Sequence, residues 1–284
     1  MPLQHDRFLH ATGPMPFLVH RLTQPGFASI NTWAVETRDE VIAFDGQRSL
    51  SAGREVAQAL RALGKPLAAV LLTHPHPDHV GGLTEIMALN PDAPLLALAR
   101  TAEIVASDAQ GYFAASRQVL PGDFPDPDAM PSPTRLVADG EVVQLAGLDL
   151  RLSEYRDVEA PCMLVAEVAD AVLAADMVEH GMTPFLLEGQ AEGWLAALDR
   201  MEPALPPGAT LYPGHGAAGA GPVLIAAQRA YLQRVLALLS GEADDAAALA
   251  ALGREFPGFE PVAAIPDLAA QNLAALRGRK DTGR

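Results

Sequence analysis

Thr73-His74-Pro75-His76-Pro77-Asp78-His79-Val80-Gly81-Gly82 gathers three histidines and one aspartate into six consecutive positions, 74–79. The run directly before it, Leu67-Ala68-Ala69-Val70-Leu71-Leu72, is apolar without alternation. That pattern predicts a central strand covered on both faces. Imidazole nitrogens and a carboxylate are donors that Zn²⁺ and similar cations accept. Pro75 and Pro77 should stiffen the segment and keep it out of a regular helix. A stiff loop holds its donors already oriented, which lowers the ordering cost of binding.

Two other apolar runs end the same way. Ala171-Val172-Leu173-Ala174-Ala175 ends in Asp176, and Thr210-Leu211-Tyr212 leads into Pro213-Gly214-His215-Gly216. A lone Asp or His after a strand usually belongs to a turn. Three runs each delivering a donor at the end predict donors converging at one edge of a sheet.

Around these runs the chain alternates strand and helix patterns. Pro16–Leu22, Ile30–Thr37 and Val41–Phe44 read as strands of an antiparallel meander. Ser51–Leu63 reads as a helix capped by Ser51 and stopped by Gly64 and Pro66. Leu83–Leu89 and part of Ala102–Val119 read as helical, and Pro94–Leu98 as another strand. Glu141–Leu145, Leu148–Ser153 and Cys162–Val168 add strands, Trp194–Met201 a helix, and an Ala/Leu-rich helical stretch follows from Val223. Pro121–Pro133, with five prolines, should be a loop over the surface or over a pocket. The expected organisation is one α/β domain over 1–284, with a sheet-based core, helices outside it and a helical extension from about 243 to 284.

Composition narrows the function. Twenty Lys+Arg against 35 Asp+Glu give a net charge of −15, and no basic cluster offsets it. Nucleic acid and anionic membrane surfaces are therefore excluded as partners, and a small-molecule substrate is expected. No apolar run is long enough to span a bilayer, the first 22 residues lack a signal-peptide pattern, and Cys162 is the only cysteine. A cytoplasmic protein without an internal disulfide is the resulting expectation. Gly214-x-Gly216-x-x-Gly219 formally matches a dinucleotide loop, but no following strand ends in an acidic residue, so it is set aside.

His-x-His-x-Asp-His after an apolar strand, then Ala-Asp, then Pro-Gly-His-Gly, resembles the metallo-β-lactamase-fold hydrolases over roughly residues 16–240. The resemblance implies a four-layer αββα sandwich and a centre of one or two metals, usually zinc, with iron or manganese as alternative occupants. It implies that His74 and His76 bind a first metal. Asp78, His79 and His215 would bind a second, with Asp176 bridging. It also implies that Asp45, in Val41-Ile42-Ala43-Phe44-Asp45-Gly46, supports the loop without binding metal. Phe185, Leu186 and Trp194 resemble a stretch of an uncharacterised branch of the family, and Trp194 is expected in the core.

One departure stands out. The family presents a third histidine for the first metal ahead of the bridging aspartate, and the stretch from Ser153 to Cys162 contains none. Glu159 is the preferred substitute, then Cys162, Glu154 and Asp157, since carboxylates and thiolates also ligate zinc. His180 reads as a solvated turn residue.

The expected activity is hydrolysis of an ester, lactone, thioester or amide by a metal-bound hydroxide. Asp78 would be catalytic, orienting the hydroxide and passing its proton to the leaving group. Tyr212 or Tyr155 is a candidate oxyanion donor. Two other readings compete: a mononuclear iron enzyme of oxygen chemistry built on His74, His76 and a carboxylate, and a non-catalytic, metal-stabilised binding protein whose first site has decayed.

Overall fold

A computed structural model describes residues 2–11, 15–26, 29–188, 190–241, 244–259 and 265–282. The chain begins with β1 (Gln4–His10), β2 (Phe17–Thr23), β3 (Asn31–Glu36) and β4 (Val41–Phe44), each antiparallel to the one before. Helix α1 (Leu50–Ala62) then crosses back to β5 (Leu67–Leu71), which pairs parallel with β4. Two short helices follow, α2 (Pro77–Val80) and α3 (Leu83–Met87), then β6 (Leu95–Leu98), α4 (Ala99–Ser107), α5 (Tyr112–Val119) and β7 (Arg135–Val137). These strands form one seven-stranded sheet in the order of the chain.

The second sheet starts with β8 (Val142–Leu145), β9 (Leu148–Arg156), β10 (Cys162–Val168) and β11 (Ala171–Ala175). Helix α6 (Ala191–Met201) leads to β12 (Thr210–Pro213), parallel to β11, and β13 (Gly219–Ala220) pairs antiparallel on its far side. Three helices close the chain: α7 (Gly221–Ser240), α8 (Asp245–Glu255) and α9 (Leu268–Thr282). Of the C-terminal extension expected from about 243, residues 243, 260–264 and 283–284 lie outside the described residues.

Period-two alternation explains the layering. In β4, Ile42 and Phe44 pack between the sheets, while Val41 and Ala43 pack outward under the helices. In β11, Ala171 and Leu173 point inward, and Val172 and Ala174 outward. The central apolar layer joins Trp33, Phe44 and Leu71 of one sheet to Leu152, Leu164 and Leu173 of the other. Helices α1 and α3 cover the first sheet, and α6 to α9 the second. The result is the αββα sandwich. Among the described residues no helix is long and apolar enough to cross a membrane.

Several local expectations need correction. Strand β1 carried no sequence signal, because its first four residues are exposed and do not alternate. The cap of α1 is Ser49, whose hydroxyl accepts from the Ala52 N–H, whereas Ser51 bonds Asp123. Pro77 does not exclude a helix; it opens the single turn of α2. Proline suits a first helical position because the N–H there has no partner in any case. The Pro121–Pro133 segment is mostly irregular, but it packs on the first sheet's helices through Phe124 and contributes nothing to the pocket described below.

Candidate metal centre

The sheet edge where β4, β5, β11 and β12 end carries the cluster. Asp45 follows β4 in the left-handed region, at φ 62°. Its carboxylate accepts from the Thr73 amide at 2.8 Å and from the Thr73 hydroxyl at 2.8 and 3.0 Å. It also meets His79 Nδ1 at 2.9 Å. Asp45 therefore fixes the loop after β5 and turns His79 Nε2 toward Asp176 Oδ2, 3.0 Å away. The short helix α2 presents Asp78 and His79 on successive positions of one turn.

Asp176 is aimed by Ala175, at φ 47°, and by the turn that follows. The buried Trp194 indole N–H donates to the Met177 carbonyl at 2.9 Å, so a core residue of α6 holds that turn. His215 sits in a turn clamped from the opposite sheet. Trp33 donates to the Pro213 carbonyl at 2.7 Å, and Asn31 donates to the carbonyls of Pro213 and Gly216 at 2.9 and 2.7 Å. Only glycine fits here: a Cβ on Gly214 would stand 1.8 Å from Asp176 Oδ1, and Gly216 has φ 87°. Glu159 lies between β9 and β10, just after Asp157 at φ 54°. Backbone held in this sparsely populated region costs about 1–3 kcal/mol per residue and tends to persist where function requires it.

The donors form two groups. His74, His76, Glu159 and Asp176 offer ligand atoms that all lie within 4.8 Å of one another, and so do Asp78, His79 and His215. Asp176 Oδ2 lies between them, 3.4 Å from His74 Nε2, 3.0 Å from His79 Nε2 and 3.6 Å from His215 Nε2. Four buried donor atoms here have no hydrogen-bond partner among the described residues: His74 Nε2, Glu159 Oε2, Asp176 Oδ1 and His215 Nδ1. Burial without a partner costs roughly 1–3 kcal/mol per group, more if charged, so such atoms call for a ligand.

The titration behaviour fits that demand. Burial pushes the Glu159 carboxyl well above the usual range, reinforced by Asp176. Although burial opposes charge on Asp176, the histidines hold it well below the usual carboxylate range, His79 foremost. His79 is raised despite burial by Asp176 and Asp45, and His215 is raised to about 9 by Asp176 and Asp78. These carboxylates hold positive charge beside them, and a divalent cation supplies it while releasing the imidazole protons.

Among the substitutes for the third histidine, the structure brings only Glu159 into the group. Cys162 points between the sheets and contacts Thr101 at 3.3 Å. Glu154 pairs with Arg156, and Asp157 is exposed. His180 is exposed, with Nδ1 on the Ala217 carbonyl. Neither tyrosine expected as an oxyanion donor reaches the site. Tyr155 packs with Arg200 over its ring, and the Tyr212 hydroxyl is 2.5 Å from His10 Nε2.

Three residues at the site gave no sequence signal. Glu188 Oε1 lies 3.4 Å from His76 Nε2 and accepts a bond from the Tyr112 hydroxyl. Glu179 is buried beside the centre, and burial followed by Glu159 pushes its carboxyl up. Each comes from a loop or a helix start without a donor-bearing motif.

The family model for the metallo-beta-lactamase superfamily matches residues 25–215. The chain belongs to the metallo-beta-lactamase superfamily. Solved members share the fold at low identity. A beta-lactamase domain protein from Burkholderia ambifaria aligns with TM-score 0.65 and 20% identity over 97% of this chain and 88% of its own. A metallo-beta-lactamase family protein from Thermus thermophilus aligns with TM-score 0.63 and 22% identity over 93% and 94%.

Curated relatives within the superfamily include the uncharacterized protein YobT of Bacillus subtilis. It is 29% identical over 42% of this chain and 50% of its own. A protein named hydroxyacylglutathione hydrolase from Cupriavidus metallidurans is 26% identical over 67% of this chain and 64% of its own. One of the same name from Xanthomonas campestris is 31% identical over 47% and 41%. The chain thus spans less than two thirds of the length of each of these curated relatives.

Proposed function

We propose that this protein is a metal-dependent hydrolase of an ester, lactone, thioester or amide, with zinc as its metal. One observation carries the reading. Donor atoms from four separate segments, 74–79, 159, 176 and 215, gather in two adjacent groups, with buried atoms that have no hydrogen-bond partner among the described residues. The relatives named as hydrolases add to it.

His74, His76 and Glu159 would hold one cation, Asp78, His79 and His215 the other, and Asp176 would serve both. Cations held at these groups would supply Lewis acidity toward a carbonyl and would lower the pKa of water toward about 7. The protein does the rest. Asp78, on the pocket side of the centre, is the carboxylate that would accept a proton from water and return it to the leaving group. His215 Nε2, 3.3 Å from the Asp78 carboxylate, would hold the same cation. Asp45 holds His79, and Glu188 with Tyr112 holds His76, in the manner of outer carboxylates that orient metal-binding imidazoles.

The two histidines and the carboxylate of the first group also compose a set suited to a single iron. The decayed-site reading rested on the missing histidine, and Glu159 stands in that group. Elemental analysis of purified protein tests the choice. Zinc together with turnover of an ester, lactone or thioester supports the hydrolase. A single iron with oxygen-dependent turnover replaces it.

A further inference from the structure

A cavity of about 470 Å³ opens directly above the centre, within the range of roughly 300–1,000 Å³ of small-molecule sites. Its floor is polar: His76, Asp78, Glu159, Glu179 and His215. Its walls are a different material. Val119 and Leu120 come from the end of α5, Met182, Phe185 and Leu187 from the segment after Glu179, and Leu268 from the start of α9. Val119 is 61% exposed, one of five large apolar side chains left open among the described residues, and it stands at this cavity.

Charge separates two kinds of substrate. Among the described residues Arg48 is the only Lys or Arg on the lining, and Asp123 and Asp78 already act on it. The lining's three carboxylates, Asp78, Glu159 and Glu179, belong to the floor at the proposed centre, so among the described residues the walls carry no charge but that of Arg48. An arm carrying carboxylates, such as glutathione, would need cations away from the reacting carbonyl, and the walls offer apolar surface instead.

We infer that the substrate arm filling this cavity is uncharged and aliphatic, and that the protein discriminates against glutathione thioesters. The inference rests on the hydrolase reading for its reaction but not for its binding. Burying one methylene in such a wall strengthens binding about fourfold. The chain's relatives named hydroxyacylglutathione hydrolase therefore differ from it in the arm recognised, not in the carbonyl chemistry assigned to both.

Two measurements on the metal-containing protein decide it. Calorimetric titration with methyl ketones, from 2-pentanone to 2-nonanone, should show affinity rising about fourfold per methylene. A flat series overturns the inference. Turnover of hexanoyl-N-acetylcysteamine should exceed that of hexanoylglutathione at least tenfold in kcat/KM, and the reverse preference overturns it. If neither thioester turns over while ketone affinity climbs, thioesters drop out of the hydrolase reading and the aliphatic arm stands. Val119→Asp, at an exposed position that leaves folding intact, should weaken 2-nonanone about tenfold. Unchanged affinity would remove this wall from the site.

Discussion

Two buried histidine clusters of this molecule differ in what their nitrogens meet. At the N-terminal edge, His20 has both ring nitrogens engaged, Nδ1 with His5 at 2.8 Å and Nε2 with Glu36 at 2.7 Å. His10 is also saturated, with Asp170 at 2.7 Å and Tyr212 at 2.5 Å. At the other cluster, His74 Nε2 and His215 Nδ1 are buried and meet no hydrogen-bond partner among the described residues, beside equally unpartnered carboxylate oxygens. The saturated histidines bind the structure together: His10 ties β1 of the first sheet to β12 of the second. The unsaturated ones point at a ligand. Burial does not separate the two kinds, since His20 and His74 are both fully buried. The inventory of donors does.

The contrast breaks most visibly at His76. His76→Ala should abolish turnover and empty the first group of its cation. The 10–100-fold losses typical of outer-shell partners set the floor for removing a ligand itself. Full turnover by this variant would end the metal reading. Glu159→Gln is the sharper test, because glutamine keeps the shape and loses the charge. The first group should lose its cation while the second keeps its own, so elemental analysis should fall from two equivalents to one. Two retained equivalents would return Glu159 to the saturated kind. His10→Phe should do the opposite of His76→Ala. It leaves metal and activity in place and destabilises by about 1–3 kcal/mol through the stranded Tyr212 hydroxyl, read as a lower Tm.

Much of the site was legible for a specific physical reason. Strands β4 and β11 are buried throughout, and β5 and β12 at all but one position, so each is a largely apolar run, and a donor directly after such a run is conspicuous. Glu159 was legible only indirectly, through a histidine that a family resemblance led one to expect. Glu179, Glu188 and Tyr112 were not legible, because only the fold brings their segments to the centre. Of the two readings of Pro121–Pro133, a loop over the surface or over a pocket, the structure favours the first. The proline-rich stretch was conspicuous, yet Phe124 anchors it on the first sheet, and the walls come from α5, residues 182–187 and α9. Strand β1 was invisible because an exposed edge strand needs no apolar alternation.

The smallest expected effect concerns pH and belongs to the saturated cluster. Burial, opposed by the bond to Glu36, holds His20 below its usual value of 6.5. In the unfolded chain His20 takes up a proton near 6.5, while in the folded chain it resists until lower pH. Its contribution to stability is therefore complete above 6.5 and declines as pH falls from there toward the lowered folded value. His20→Gln removes the titration, so the variant should lose less Tm than the parent between pH 7 and pH 5. Because the group lies apart from the metal ligands, the difference should be the same with and without chelator. A difference that vanishes on chelation would mean that the two clusters are coupled, and that the division between saturated and unsaturated histidines is not a division of function.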